Sequence, residues 1–508
     1  MWVNLLSRQI AWLWSTGRGL MGGRVWVVVV LTALGAGSCG LGQSGDGSIS
    51  DESHNGGVRS TSVQQNRPSH IDSGGSEANL ADLGVVDGLL GAVDLPNSGV
   101  RTGAQVMVDD GFSMLAGESV VVVLNHASEV GGEALLSHMA RASTSQDGEQ
   151  FDLVAAYGPE HGVGVDGAAG EPIGDSIDDE TAIPTFSLYR ADGAGQRVLP
   201  PGIDTVVFDL QDVGVRVYTY VSTLGDAMQM AAQSGARFVV LDRPNPLGGE
   251  HVSGFVRAGG FESFVGRYPT PFVHGMTMGE MAMAIKGEHW LGGLEDLEVV
   301  VVPMQGWRRE YLWADTGLPW VAPSPGLPSI QAANAYPSTV LFEATQLSVG
   351  RGTSEPFSLV GAPWVNPVQA VDELANRGLA GVKFEPVSFV PVSEPSAPEV
   401  PFQDQMVHGV RVIVDPAEFS AMVTAVHLID VLNTQAEDAG AGQLINRPKF
   451  FDLLAGSDQL RRSIEQGLTP SDIIAGWEAD VVGFQMVRSQ YLIYPASRQE
   501  HVDVDMSE

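Results

Sequence analysis

The chain has 508 residues, 44% of them hydrophobic, and its 61 Asp plus Glu against 27 Lys plus Arg leave a formal net charge of −34. That length holds one large domain or two ordinary ones around a substantial core. So acidic a surface repels phosphate backbones, which argues against nucleic acid as a partner, and it disfavours loose adsorption to anionic lipid.

The first element in chain order is a leader. Arg24 precedes an apolar run, Val25–Leu34, followed by Gly35-Ala36-Gly37-Ser38 and then Cys39, the single cysteine. A charged start, a short apolar stretch and a small-residue end describe a secretory signal, and the run is too short for a comfortable membrane span. A Cys directly after small residues resembles a bacterial lipoprotein signal, in which that Cys is lipidated. Residues 1–39 are therefore expected to be a signal peptide that exports the protein to the cell envelope, with Cys39 anchoring it to the membrane. A plain cleaved signal and a retained anchor are the alternatives. One cysteine also rules out an intramolecular disulfide and a Cys-based zinc site. Residues 40–99, rich in Gly, Ser, Asp and Asn, read as a disordered tether that lets a folded domain reach away from the membrane.

From Val106 the pattern changes to short apolar runs separated by helical stretches. Ser119–Leu124, Phe151–Tyr157, Thr205–Leu210, Phe238–Leu241 and Leu297–Val302 read as strands buried on both faces, the mark of a parallel sheet covered by helices. Thr219–Ser234 reads as one such helix, stopped by Gly235. Right-handed crossovers then make residues 100–303 a doubly wound α/β layer. Beyond Pro303 a segment rich in Pro, Gly and Trp, up to about Pro367, suggests long ordered loops. A strand at Val410–Val414, helices at Pro416–Leu432 and Ser457–Gln466, and a closing segment Trp477–Tyr494 suggest a second, smaller α/β domain over residues 304–508.

Open parallel sheets bind ligands beyond the carboxyl ends of their strands. Four of those ends carry polar clusters: Asn125-His126; Glu160-His161 within Gly158–Gly162; Asp209, Gln211 and Asp212, followed by Arg216, Tyr218 and Tyr220; and Asp242-Arg243 with Asn245. Asn and Asp also cap helices and start turns, but four clusters on one edge favour a polar site. The first strand is followed by Asn125-His126-Ala127-Ser128 rather than a Gly-rich phosphate loop, so no dinucleotide cofactor is expected.

Six segments in order, GPEHG (158–162), FDLQDVGVRVYTYVSTL (208–224), LDRPNPLGG (241–249), HGMTMGE (274–280), LPWVAPSP (318–325) and GRGTSEPF (350–357), resemble the signatures of the NamZ-type exo-β-N-acetylmuramidases. The resemblance runs from about Val106 to Tyr494. It implies a Rossmann-like domain, a smaller C-terminal domain and a cleft between them. The implied reaction releases a non-reducing terminal N-acetylmuramic acid (MurNAc) from the MurNAc–GlcNAc chains of peptidoglycan fragments. In the adjoining stretches 324–328 and 343–350 the chain departs from the family pattern at Gly326, Gln346 and Val349.

Glycoside cleavage needs a carboxylic acid to protonate the leaving oxygen. Glu160, in a Gly/Pro-framed loop at a strand end, is the candidate, with a loop-bracing hydrogen bond as the bland reading. His161 is placed to orient Glu160, to bind a sugar hydroxyl, or simply to support the loop. Asp209 and Asp212 either position the acetamido group or a water, or brace their loop. The lactyl carboxylate of MurNAc suits an arginine fork; Arg216 is the first choice, with Arg351 and Arg243 the others. Asn125, Gln211, Tyr218, Tyr220, Asp242, Asn245, His274 and Glu343 complete the expected sugar contacts. Trp307 and Trp320 are further aromatics able to stack on sugar or fill the core. A catalytically inactive glycan-binding lipoprotein is the first rival. A metal-dependent phosphoesterase using Asp209, Asp212, Asp242, His161 and His274 is the second, disfavoured because no compact metal-binding motif appears. No metal is expected.

Overall fold

The computed structural model describes residues 99–145, 150–160, 162–164, 174–188, 198–395 and 397–496. The leader with Cys39 and the tether expected up to residue 99 lie outside them, apart from Gly99 itself. All the described residues belong to one compact unit.

Six parallel strands form the main sheet: β1 (Ser119–Leu124), β2 (Asp152–Gly158), β3 (Pro184–Ser187), β4 (Thr205–Asp209), β5 (Arg237–Leu241) and β6 (Val299–Val302). Their spatial order is 3-2-1-4-5-6, and a two-residue strand, Ser176–Ile177, pairs antiparallel with β3 at the edge. This is the doubly wound order of dinucleotide-binding folds. The alternation along each strand shows why the runs are apolar throughout. Val121 and Val123 pack with Val206, Phe208, Val240 and Val301 on one face, while Val120, Val122 and Leu124 pack with Val207, Val239, Leu241 and Val302 on the other. Helices α1 (Gly103–Asp109) and α2 (Leu135–Thr144) cover the second face; α3 (Tyr220–Ser234) and α4 (Met278–Gly287) cover the first. Gly235 ends α3 in the left-handed conformation, φ 72°, which glycine adopts without steric cost. Thr277 and Glu280 close a reciprocal capping box at the start of α4, so part of the HGMTMGE segment has a structural reason.

The second half differs from expectation in its loop-rich stretch. The stretch expected to be loop holds helix α5 (Ile330–Thr339) and strand β7 (Leu359–Ala362). Pro337 within the last turns of α5 masks its helical pattern, because proline is read as a breaker. The sheet there is also antiparallel, with β7, β8 (Val382–Phe389) and β9 (Val407–Val414) in the order β7-β9-β8. Helix α6 (Pro367–Ala375) packs on β8, and α7 (Ala421–Asp438) packs on α5. The helix expected from Pro416 thus begins at Ala421 and runs six residues past Leu432.

The chain then returns to the first sheet. Tyr494 donates its hydroxyl to Asp242 Oδ2 at 2.6 Å and accepts from the Met304 amide, and the Ile493 amide reaches Glu280 Oε1. The segment after β6 also stays on that sheet's edge: Val100 N–H donates to Thr316 O and Arg101 bridges to Gln305.

Candidate active site

Strand order reverses between β1 and β4, whose last residues Leu124 and Asp209 are neighbours in register. The loops diverging from such a switch point leave a crevice. Asn125 begins it. Its Nδ2 donates to Tyr220 O–H at 2.8 Å and to Pro323 O at 3.0 Å, while its Oδ1 accepts from the Ala127 amide. Tyr220 donates to the same Pro323 carbonyl at 2.6 Å. One carbonyl of the 318–325 segment is thereby pinned over the switch point by two buried side chains.

From there an aromatic ladder crosses into the second half of the chain. The rings of Tyr220 and Tyr218 meet edge-on at 4.8 Å, Tyr218 meets Tyr336 at 6.2 Å, and Tyr336 meets Phe357 at 4.8 Å. The Arg351 guanidinium lies over Phe357, 5.7 Å from the ring centre. Edge-to-face contacts add about 0.5–1.5 kcal/mol each beyond burial, so the ladder holds the two halves in a fixed relation.

Two carboxyl groups flank the ladder. Glu160 is half-buried and accepts from the Thr219 hydroxyl at 3.1 Å. Asp212 is buried; its Oδ2 accepts from the Gly214 amide at 2.6 Å, and its Oδ1 has no hydrogen-bond partner among the described residues. Burial pushes the Asp212 carboxyl up to about 7, against the pull of the Gly214 and Val213 amides. Both carboxyls act on Tyr220 and Tyr336, whose hydroxyls are held above the usual phenol range first by burial. His274, fully buried, places Nε2 3.7 Å from Asp212 Oδ2.

On the far side of Tyr336, Arg351 Nη1 pairs with Glu343 Oε1 at 2.7 Å, and both side chains are about a quarter exposed. Its other terminal nitrogen faces Gly326, where a Cβ would stand 3.5 Å away. Of the three departures from the family pattern, only Gly326 adjoins the site. Gln346 donates to the carbonyls of Ala441 and Gln443, and Val349 is buried in the core.

Several of the expected site residues are held in bracing contacts, for Asp209 one of the two readings its sequence position allowed. Asp209 is bound two-point by Arg243. Gln211 donates to Asp212 O and Pro244 O, and Asn245 donates to Met276 O while accepting from the Leu247 amide. Asp242 accepts from the Gly279 amide at the start of α4 and from Tyr494, and burial pushes its carboxyl up to about 6. Arg216, the first choice for the lactyl carboxylate, is the main correction. Its guanidinium is buried against the carbonyls of Phe255, Thr270 and Leu454, and burial next to Arg257 lowers it to about 9. It has no open face for a ligand.

Trp307 packs edge-on to Tyr494, and Trp320 donates to Leu327 O beside Trp313. His161 lies outside the described residues. Among those described, no three His, Cys, Asp or Glu side chains converge as a metal cluster requires. Sequence reasoning missed Tyr336, the central rung, because an aromatic within a Pro-containing helix looks like ordinary core.

Comparison with known proteins agrees with this layout. The profile of the N-terminal domain of exo-β-N-acetylmuramidase NamZ matches residues 120–331, and that of its C-terminal domain matches residues 334–494. The two profiles meet between residues 331 and 334. The chain is 36% identical over 400 residues to peptidoglycan β-N-acetylmuramidase NamZ of Bacillus subtilis (strain 168), covering 78% of this chain and 91% of that protein. Crystal structures of two DUF1343 family proteins from Bacteroides fragilis NCTC 9343 match with TM-scores of 0.69 and 0.61. Each is 31% identical, and the matches cover 79% and 78% of this chain and all of theirs. The chain therefore belongs to the NamZ family of exo-β-N-acetylmuramidases.

Proposed function

We propose that this chain is an exo-acting glycoside hydrolase that releases non-reducing terminal MurNAc from MurNAc–GlcNAc chains of peptidoglycan fragments. The observation that carries this reading is the pairing of Glu160 at one end of the aromatic ladder with the Arg351 edge beside Gly326 at the other. That is the polarity of the substrate: a glycosidic oxygen awaiting a proton at one end, a lactyl carboxylate at the other. Accessibility decides between the carboxyl groups. Glu160 is half-buried, whereas the unpartnered oxygen of Asp212 is closed off from solvent. Glu160 is thus the group that reaches the glycosidic oxygen. It gives its proton to the leaving GlcNAc O4 as the C1–O bond breaks, and water supplies the new oxygen at C1.

Arg351 is about a quarter exposed beside its pair with Glu343, and a guanidinium takes a carboxylate by two parallel N–H donors. Tyr218 and Tyr336, both buried, pack between the two ends and fix their spacing. The lipoprotein-like leader supports export to the cell envelope, with Cys39 as a membrane anchor that leaves the domain on a tether among cell-wall fragments.

The deciding experiment is product analysis on the MurNAc–GlcNAc disaccharide. Free MurNAc and GlcNAc in equal amounts are expected. Intact disaccharide, retained by the protein with no turnover, would make it a glycan-binding protein instead.

A further inference from the structure

We propose that His274 is a positioning residue that works through Asp212, fixing the orientation of that carboxyl group and thereby the surroundings in which Glu160 releases its proton. The inference rests on the hydrolase reading above and adds a residue that touches no substrate.

A backbone amide sets the tautomer of His274. The Met276 amide donates to His274 Nδ1 at 3.2 Å, so Nδ1 is an acceptor and the ring hydrogen sits on Nε2. Nε2 makes no hydrogen bond among the described residues; Asp212 Oδ2 lies 3.7 Å from it. The main chain fixes both groups through one residue. Gly214 gives its N–H to Asp212 Oδ2 and its carbonyl to the His274 amide, and Val215 bridges to Val273 alongside. Gly214 adopts φ 76°, and a Cβ there would stand 2.3 Å from Asn245 Oδ1, so the position admits only glycine. With Oδ2 held by the amide and facing the imidazole, Oδ1 points away from both.

The charged and titratable neighbours agree with a neutral donor. Burial, helped by the charges of Arg488 and Arg216, pushes the His274 imidazole down to about 3. Asp212 in turn acts on Tyr218, Tyr220 and Tyr336, and Glu160 acts on Tyr220 and Tyr336. His274 therefore offers Asp212 an N–H dipole without a charge. At 3.7 Å that N–H stands just beyond direct hydrogen-bond reach of Oδ2; an approach of a few tenths of an ångström makes it a donor to the ionised carboxyl, and its removal then drives the Asp212 titration upward.

Two substitutions separate this role from simple support. His274→Asn keeps an acceptor for the Met276 amide but loses the donor at the Nε2 position; His274→Gln keeps a donor there. Asp212 is followed by carbon-13 carboxyl titration in the full-length protein without substrate. Turnover of MurNAc–GlcNAc is followed as a pH profile. In His274→Asn the Asp212 titration is expected to rise by roughly half a pH unit or more. Its kcat/KM should fall about tenfold, with the profile displaced, while His274→Gln stays near wild type. In an Asp212→Asn background, His274→Asn should add little. An unmoved Asp212 titration in His274→Asn, or fully additive losses in the double variant, would overturn the proposal. If His274→Asn fails to fold, His274→Gln carries the test by itself: an Asp212 titration and a pH profile close to wild type are expected, and a displaced titration or a loss of about tenfold in kcat/KM would overturn the proposal. A wild type that shows the carboxyl titration but no turnover would sink the hydrolase reading and leave the pairing standing.

Discussion

Arg243 grips Asp209 at two points, Nε to Oδ1 at 2.5 Å and Nη2 to Oδ2 at 2.7 Å, with the carboxylate wholly buried and the guanidinium 7% exposed. The strand-end aspartate that looks most like a catalytic group is a joint between β4 and the loop after β5. Removing one partner strands the other as a buried, uncompensated charge, which costs about 3–5 kcal/mol. Arg243→Met should lower unfolding free energy by that order, measured in urea, and Asp209→Asn should do so to a lesser degree. An Asp209→Asn variant of full stability but little activity would return Asp209 to the chemistry.

Glu160→Gln should fold normally and bind substrate while losing roughly 10²–10⁴-fold in turnover of MurNAc–GlcNAc, the usual worth of a general acid. A nitrophenyl glycoside needs less protonation of its leaving group, so its loss should be much smaller. Equal losses on both substrates would assign Glu160 to positioning.

Arginine roles separate by a selectivity measurement. Arg351→Ala should narrow the preference for MurNAc over GlcNAc glycosides about ten- to a hundredfold, the roughly 1.5–3 kcal/mol of a charge-assisted hydrogen bond. Arg216→Ala should lower the melting temperature and leave that preference intact, because its donors already serve three carbonyls. If the preference instead follows Arg216, the site is misread.

Stability should depend on pH through two buried groups of opposite sign. Asp212 is raised from 3.8 to about 7 in the fold, so its protonated form stabilises the fold at low pH, and that contribution is lost as pH rises from about 4 to 7. His274 is depressed from 6.5 to about 3, so its neutral form stabilises above about 6.5, and that is lost as pH falls. Asp212→Asn should therefore gain stability over wild type across pH 4 to 7. Parallel curves for the two proteins would show that the carboxyl titrates normally.

Cys39→Ala should release soluble protein from membranes if Cys39 carries the lipid anchor. Membrane retention of that variant, with the leader still attached, would make the apolar run Val25–Leu34 the anchor instead.

The parallel layer was legible because burial on both faces writes continuous apolar strands, and β1 ends where the pattern ends, at Leu124. The polar edge was legible for the same reason, since polar residues at four strand ends must gather wherever parallel strands align. What each polar residue does there was not. Asp209 and Asp212 sit three positions apart with the same side chain, yet one faces a guanidinium and the other an amide and a neutral imidazole. Those partners come from residues 243 and 274, and only the tertiary fold brings them within reach. Arg216 and Arg351 divided likewise: local sequence shows two arginines, but backbone carbonyls from three distant segments close over the first and leave the second beside a glycine. Chemical role follows from which partner occupies the remaining hydrogen-bonding directions, a long-range property that no local pattern encodes.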